Sequence, residues 1–390
     1  MRILRATART RGRQARGLNS AVSCPFAVRV TSRPFWIKNR PRLGLITYIR
    51  PELEGEQVRM SWSAFRTFTD PDAYHAAFRD MRTASVITGR GDFRADSLTV
   101  QLERLSLQDA KESLPRTAYC AVDPRQFVIS FPTHPRQGIH VLNGLELVPD
   151  TIAVFRAASE GHNRFGSASR WGSVALPHED IAAAGRTLIG HELVTPPHTH
   201  LIKPSPPVLS KLLSLHKAVG RLAEAAPEVL AGAEVARALE QTLIRVMIQC
   251  LSEGQGIEVG SSYWRHVAVM RRLENFLEAN ADRTLHLTDL CAAAAASDRT
   301  LRILCHEHLG MSPTRYLWLR RMHLARRALR MADLATTTVT EIATSYAFWE
   351  LGHFAVAYRS LFGESPSATP RRPPEDPAAA KNLRFALAAS

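Results

Sequence analysis

The chain is poor in cysteine, has no acidic residue in its first 50 positions and lacks any long apolar run. Its five cysteines, Cys24, Cys120, Cys250, Cys291 and Cys305, are an odd number without CxxC spacing. That fits reduced thiols in a cytoplasmic protein and argues against a disulfide framework. No uninterrupted apolar run reaches 18 residues, so no membrane-spanning helix is expected. Also missing are GxSxG, a P-loop, GxGxxG between strand and helix, HExxH and CxxC, and no partner is spaced to activate Cys120. Catalysis has no visible home, and no catalytic residue, cofactor or metal is expected.

What is present is ordinary in bulk. A length of 390 residues implies two or three domains, and 45% hydrophobic with 22% charged residues is close to the globular average. The formal charge of +14 is unevenly spread: residues 1–50 carry 12 Arg or Lys and no acid. Residues 51–260 hold 21 basic and 24 acidic side chains, whereas residues 261–373 hold 15 and 10. Only the N-terminal arm and the C-terminal third can therefore meet phosphate by charge. The arm, 1–59, reads as disordered, and the domain composition that opens at Met60 makes that residue a candidate translation start. A tail, 374–390, reads the same way.

From about Leu98 to Leu176 short alternating runs predict strands: LTVQLERLSL, RQFVISFP, IHVLNGLELV, TIAVF and RWGSVALP. Turn signals separate them, above all Asn143-Gly144, which predicts a hairpin. The expectation over 60–180 is a small sandwich or barrel. Beyond Pro177 the pattern turns helical. Leu209, Leu212, Leu213, Val219 and Leu222 form one stripe, and Val235, Leu239, Leu243, Val246, Met247 and Cys250 a second. Over 181–258 these stripes fit either packing on the chain's own domain or a dimer surface.

The region 259–373 is the most informative. After the amphipathic VAVMRRLENFLEAN, Thr288 can cap a short helix from Asp289 to Ala294, and Ser297 a second helix from Asp298 to about His308, ended by Gly310. Short helix, turn and capped helix make a helix-turn-helix. Leu301, Leu304 and Cys305 share its inner face, leaving Arg299, Thr300, Arg302 and Ile303 outward. A long basic helix, SPTRYLWLRRMHLARRALR, then leads to a second unit. Ile342, Ala343 and Tyr346 mark its short helix, Ala347-Phe348 its turn, and Glu350 to Leu361 its longer helix. Two such units on one rigid helix of about 25 Å would set two recognition helices about one DNA turn apart.

These residues resemble the AraC/XylS family of bacterial transcription regulators. The resemblance rests on TDL, SDRTL, HLGMSPTRYL, RRMHLARRAL, VTEIA, the Phe-Trp pair before LGHF, and YRSLFGESP, over about residues 264–372. ESLPR, GLELVPD and RWGSVALP extend a weaker likeness to the family's sensing region. It implies an α+β chain, with a cupin-like effector-sensing domain, a helical dimerisation segment and a double helix-turn-helix domain that reads promoter DNA in the major groove. Its implied partners are an unknown small effector, RNA polymerase and a second copy of the chain, with no membrane. The DNA-contacting positions it implies are Ser297, Arg299, Thr300, Arg302, Ile303, Trp349, Glu350, Leu351, His353 and Arg359.

The sequence departs from the family pattern at both turns, where Ala295 and Ala347 replace glycine. A left-handed backbone there would cost about 1 kcal/mol or more. Arginines the family often carries are replaced by Ile303 and Val356, so base readout by the second unit is in doubt. Leu351, Gly352, His353 and Ala355 suit apolar contact with thymine methyls, and Arg359 suits phosphate. In the linking helix Arg320, Arg321, Arg326 and Arg327 scatter around the axis, which leaves surface pairs and one or two phosphate contacts. A rival reading, a cupin-like metal enzyme with an accessory DNA-binding domain, rests on His198 and His200 in a proline-rich loop. His134, His140, His162 and Glu160 either line a ligand cavity or face solvent.

Overall fold

A computed structural model describes residues 61–373 and 382–385, apart from 135–137, 157, 194–197, 282 and 334. The basic arm, Cys24, the question of Met60 and most of the tail lie outside the described residues. In chain order the N-terminal elements are β1 (Trp62–Phe68), α1 (Pro71–Ala76), β2 (Met81–Ile87), β3 (Ala95–Gln101), β4 (Ser106–Glu112), β5 (Arg116–Val122) and β6 (Gln126–Pro132). There follow β7 (His140–Leu142), β8 (Leu145–Glu146), β9 (Ile152–Phe155), β10 (Glu160–Phe165), β11 (Ser169–Pro177) and α2 (His178–Ile189). Next come β12 (His200–Lys203), α3 (Pro206–Ala225), α4 (Pro227–Ala231), α5 (Ala233–Glu253) and β13 (Gln255–Gly256). The C-terminal helices are α6 (Ser261–Ala279), α7 (Leu287–Ala294), α8 (Asp298–Leu309), α9 (Pro313–Arg330), α10 (Val339–Ser345) and α11 (Leu351–Phe362), and β14 (Asn382–Phe385) follows.

Among the described residues the strands form two antiparallel sheets, in the orders β13-β12-β9-β6-β11-β4-β3-β1-β14 and β2-β5-β10-β7-β8. The fold is thus α+β: antiparallel sheets first, a helical domain after. The larger sheet is covered on both faces. Leu98, Val100, Phe127, Ile129, Ile152, Val154, Val174 and Leu176 point to one side, where Leu212 and Val219 of α3 and Leu243, Val246 and Met247 of α5 close the core. Their neighbours Val128, Ala153, Phe155 and Ala175 point the other way, against Val122 and Leu142 of the smaller sheet. Burial on both faces is why consecutive apolar residues, Phe127–Ile129 and Ile152–Phe155, stand within runs that were expected to alternate. Asn143 (φ 51°) and Gly144 (φ 86°) join β7 to β8 with Leu142 facing Leu145, the two-residue hairpin that the Asn-Gly pair announces.

Strand formation begins earlier than the sequence predicts, at Trp62; β1, β2, β5, β10 and β12 are strands beyond those expected, and β10, EGHNRF, carries too many polar residues to show an apolar alternation. Buried partners make them possible. Glu112 accepts from Tyr74 Oη (2.8 Å), Trp171 Nε1 (2.7 Å) and Arg116 Nη2 (3.0 Å), so a charge can sit inside this core.

The two helical stripes are spent internally. Glu240, buried on α5, accepts the backbone N–H groups of Arg104 (2.7 Å) and Leu105 (3.2 Å) at the β3–β4 turn, tying that helix to its own sheet. On α3, His216 lies so close to β11 that a Cβ on Gly172 would stand 2.7 Å from its Nε2. Of the second stripe only Val235 is exposed, and Leu213, Leu222 and Leu239 pack partly buried against the core. The dimer expectation therefore draws no support from these stripes.

Candidate nucleic-acid interface

In the first helix-turn-helix unit, α7 starts two residues earlier than Thr288 would place it. The extended residue is His286, whose backbone N–H donates to Asp289 Oδ2 at 2.8 Å, and Thr288 lies inside the helix. Ala295 then adopts the left-handed conformation (φ 49°, ψ 51°). The carbonyl it would leave bare at Ala294 accepts the guanidinium of Arg272, at 3.0 Å from Nε and 2.7 Å from Nη2. Ser297 Oγ accepts the backbone N–H of Thr300 at 3.2 Å and opens α8, which Gly310 (φ 73°) closes.

Within α8, Leu301, Leu304 and Cys305 are buried, whereas Ser297, Arg299, Thr300, Arg302 and Ile303 are exposed. Arg302 Nε donates to Asp298 Oδ1 at 2.7 Å. The second unit repeats the plan. Thr338 and Glu341 cap each other across α10, with Thr338 N donating to Glu341 Oε2 (2.8 Å) and Glu341 N to Thr338 Oγ1 (3.2 Å). Ala347 is left-handed (φ 60°), Glu350 precedes α11, and Phe354, Tyr358 and Leu361 face inward. Outward lie Trp349, Glu350, Leu351, His353, Val356 and Arg359. Trp349 is 73% exposed and Val356 72%, so this face is apolar where that of α8 is cationic. The linking helix α9 has 18 residues, about 27 Å at 1.5 Å per residue.

The arginines of α9 are not on the surface that the sequence reading gave them. Arg320 donates to the buried Glu274 of α6 at 2.8 Å, and Tyr316 Oη donates to the same carboxylate oxygen at 2.8 Å. Arg326, 6% exposed, pairs with Asp70 at 3.0 Å and Glu364 at 3.3 Å. Arg327 Nε donates to Asp72 Oδ1 at 2.7 Å, and Arg321 lies over the Phe348 ring, its guanidinium carbon 5.4 Å from the ring centroid. Of the four arginines from which surface pairs and one or two phosphate contacts are expected, Arg320, Arg326 and Arg327 are each engaged by an acid. Arg320 and Arg326 neutralise buried acids, which a charge count along the chain cannot reveal.

Asp70 and Asp72 belong to the N-terminal region, so α9 is also where the helical domain meets the sheets. Ile87 N donates to His323 Nε2 at 3.0 Å, Thr117 Oγ1 to Leu309 O at 3.3 Å, and His162 Nε2 stands 3.9 Å from Glu274 Oε2. A cleft of about 400 Å³ lies along this contact, between Phe93 and Leu114 on one side and Leu361 and Phe362 on the other. Burial would raise the Glu274 carboxyl, but Arg320 and the hydrogen bonds hold it down to about 2. Burial pushes His323 down to about 4 and, helped by His162 and His266, His308 to about 3.

His140 and His162 are buried, His140 bonded to Asn163 at 2.7 Å, and Tyr119 Oη donates to Glu160 at 2.9 Å. His162 thus serves the contact between regions, and neither it nor His140 lines the cleft. His200 begins β12, not a loop, and its Nδ1 lies 3.2 Å from the His198 carbonyl, while the His198 ring packs on Trp264. Among the described residues no three His, Cys, Asp or Glu side chains gather as a metal site, and no helix is long and apolar enough to cross a membrane.

Residues 290–372 match the family described as "Helix-turn-helix domain". The C-terminal domain is of the AraC/XylS type. "XylDLEGF operon transcriptional activator 2" of Pseudomonas putida is 37% identical over 98 residues, 25% of this chain and 62% of that one. The "Probable thc operon regulatory protein" of Rhodococcus erythropolis is 32% identical over 147 residues, 36% of this chain and 44% of that one. Among solved structures, the AraC-like transcriptional activator CuxR aligns with a TM-score of 0.35 and 13% identity, over 70% of this chain and 97% of that one. The chain spans less than two thirds of the length of these curated relatives, 30% in the case of "XylDLEGF operon transcriptional activator 1".

Proposed function

We propose that the chain is a sequence-specific DNA-binding transcriptional regulator whose AraC/XylS-type domain reads two successive major-groove segments. The observation that carries this reading is the pair of helix-turn-helix units on α9, each with a recognition helix whose outer face is solvent-exposed. The proposed DNA-contacting residues are Ser297, Arg299, Thr300, Arg302 and Ile303 on the first, with Trp349, Glu350, Leu351, His353 and Arg359 on the second. The first unit reads bases through arginine. The second fills the groove with apolar surface, and Arg359 meets phosphate.

We divide the chain into a sensing region over 60–180, a helical segment over 181–258 and the DNA-binding domain over 259–373. An effector of unknown identity acts on the sensing region and is felt through its contact with α9. RNA polymerase and a second copy of the chain are further partners of this reading, and no catalytic role is assigned. Arg302→Ala tests it: specific binding should weaken by about 1–3 kcal/mol, with relaxed preference at one base pair. Equal loss on every sequence would contradict base readout and indicate phosphate contact.

A further inference from the structure

The outer face of α8 carries an acid where a surface meeting phosphate should avoid one. Asp298 sits in the first turn, and its Oδ1 accepts Arg302 Nε at 2.7 Å, with the two side chains 53% and 46% exposed. Guanidinium is a planar fork of five N–H donors. Binding Nε to Asp298 leaves the donors on Nη1 and Nη2, and those two terminal nitrogens form the parallel pair that matches guanine O6 and N7. An arginine without such a partner must give up its rotamer freedom when it meets the base. The pair removes part of that freedom beforehand. The second unit repeats the device at a spacing one residue shorter: His353 Nδ1 lies 2.6 Å from Glu350 Oε2 at the start of α11.

We propose that Asp298 is a positioning residue for Arg302, holding its guanidinium by Nε so that the terminal nitrogens meet guanine end-on and sharpening sequence discrimination at a cost in overall DNA affinity. This rests on the reading of α8 as a base-reading helix.

The test uses the full chain and duplexes carrying the selected site with each base pair varied in turn, alongside an unrelated duplex. Arg302→Ala identifies the base pair that Arg302 reads. Asp298→Ala should lower discrimination at that same pair by about five- to tenfold while strengthening binding to the unrelated duplex, because a negative charge has gone. Asp298→Asn, which keeps an oxygen acceptor and the polar helix start, should fall between Asp298→Ala and the parent. The double variant Asp298→Ala/Arg302→Ala should discriminate no worse than Arg302→Ala alone. The proposal is overturned if Asp298→Ala relaxes a different base pair, which would make Asp298 a reader in its own right. It is equally overturned if binding rises on every duplex with discrimination intact. If Arg302→Ala itself leaves every preference unchanged, the base-reading assignment of α8 fails first, an outcome distinct from failure of the positioning role alone.

Discussion

Ala295 and Ala347 show how much single residues contribute here. Both adopt positive φ, 49° and 60°, where a Cβ crowds the following carbonyl. Ala295→Gly and Ala347→Gly should each raise stability by about 0.5–1 kcal/mol, the relief exceeding the entropy that glycine adds to the unfolded chain. Chemical denaturation of the full chain measures this, and an unchanged or lower midpoint would show that neither turn is strained. Arg326 should respond in the opposite sense. With Arg326→Met, Asp70 and Glu364 lose a buried cation, and the chain should lose about 3–5 kcal/mol in the same assay. A loss below about 1 kcal/mol would mean that this pair is solvated.

Helix ends decide the geometry of the DNA-binding elements. Ser297→Ala removes the acceptor of Thr300 N and should cost about 1 kcal/mol, seen as faster amide exchange in the first turn of α8 with α9 unaffected. Exchange unchanged at Thr300 would remove the cap from the account. These ends were legible in the sequence: Ser297, Gly310 and Gly363 carry local signals, and so do the left-handed alanines by their place in the turns. His286 was not, because its role comes from backbone shape and from Asp289 reaching back. The inner face of α8 followed from the spacing of Leu301, Leu304 and Cys305 alone. The polar strand β10 did not, since its burial depends on partners that only the folded topology supplies.

At the scale of the molecule, the contact between the sheets and α9 is what sequence reading missed. Its acids, in TDPDAY, and its arginines, in LARRALR, are about 255 positions apart, and a charge count along the chain sees only a basic helix. Buried histidines at this contact and within the sheet region predict a pH response. His75 and His140 are held at about 4, chiefly by burial, as is His323, and His308 at about 3. Each is neutral when folded but takes up a proton on unfolding below about pH 6.5, so folding stability is full above that pH and declines beneath it. Between pH 6.5 and 5.5 each histidine should remove about 1 kcal/mol. A thermal midpoint that does not fall over that interval would place these rings in contact with solvent.

The central claim, that two helix-turn-helix units read DNA in succession, is tested most directly by selecting random duplex DNA with the full chain and titrating the winners at several salt concentrations. The account predicts one strong motif under α8 and a second, weaker and thymine-rich, about 10 base pairs away. Winners without any shared motif, bound with an affinity set by salt alone, would contradict it.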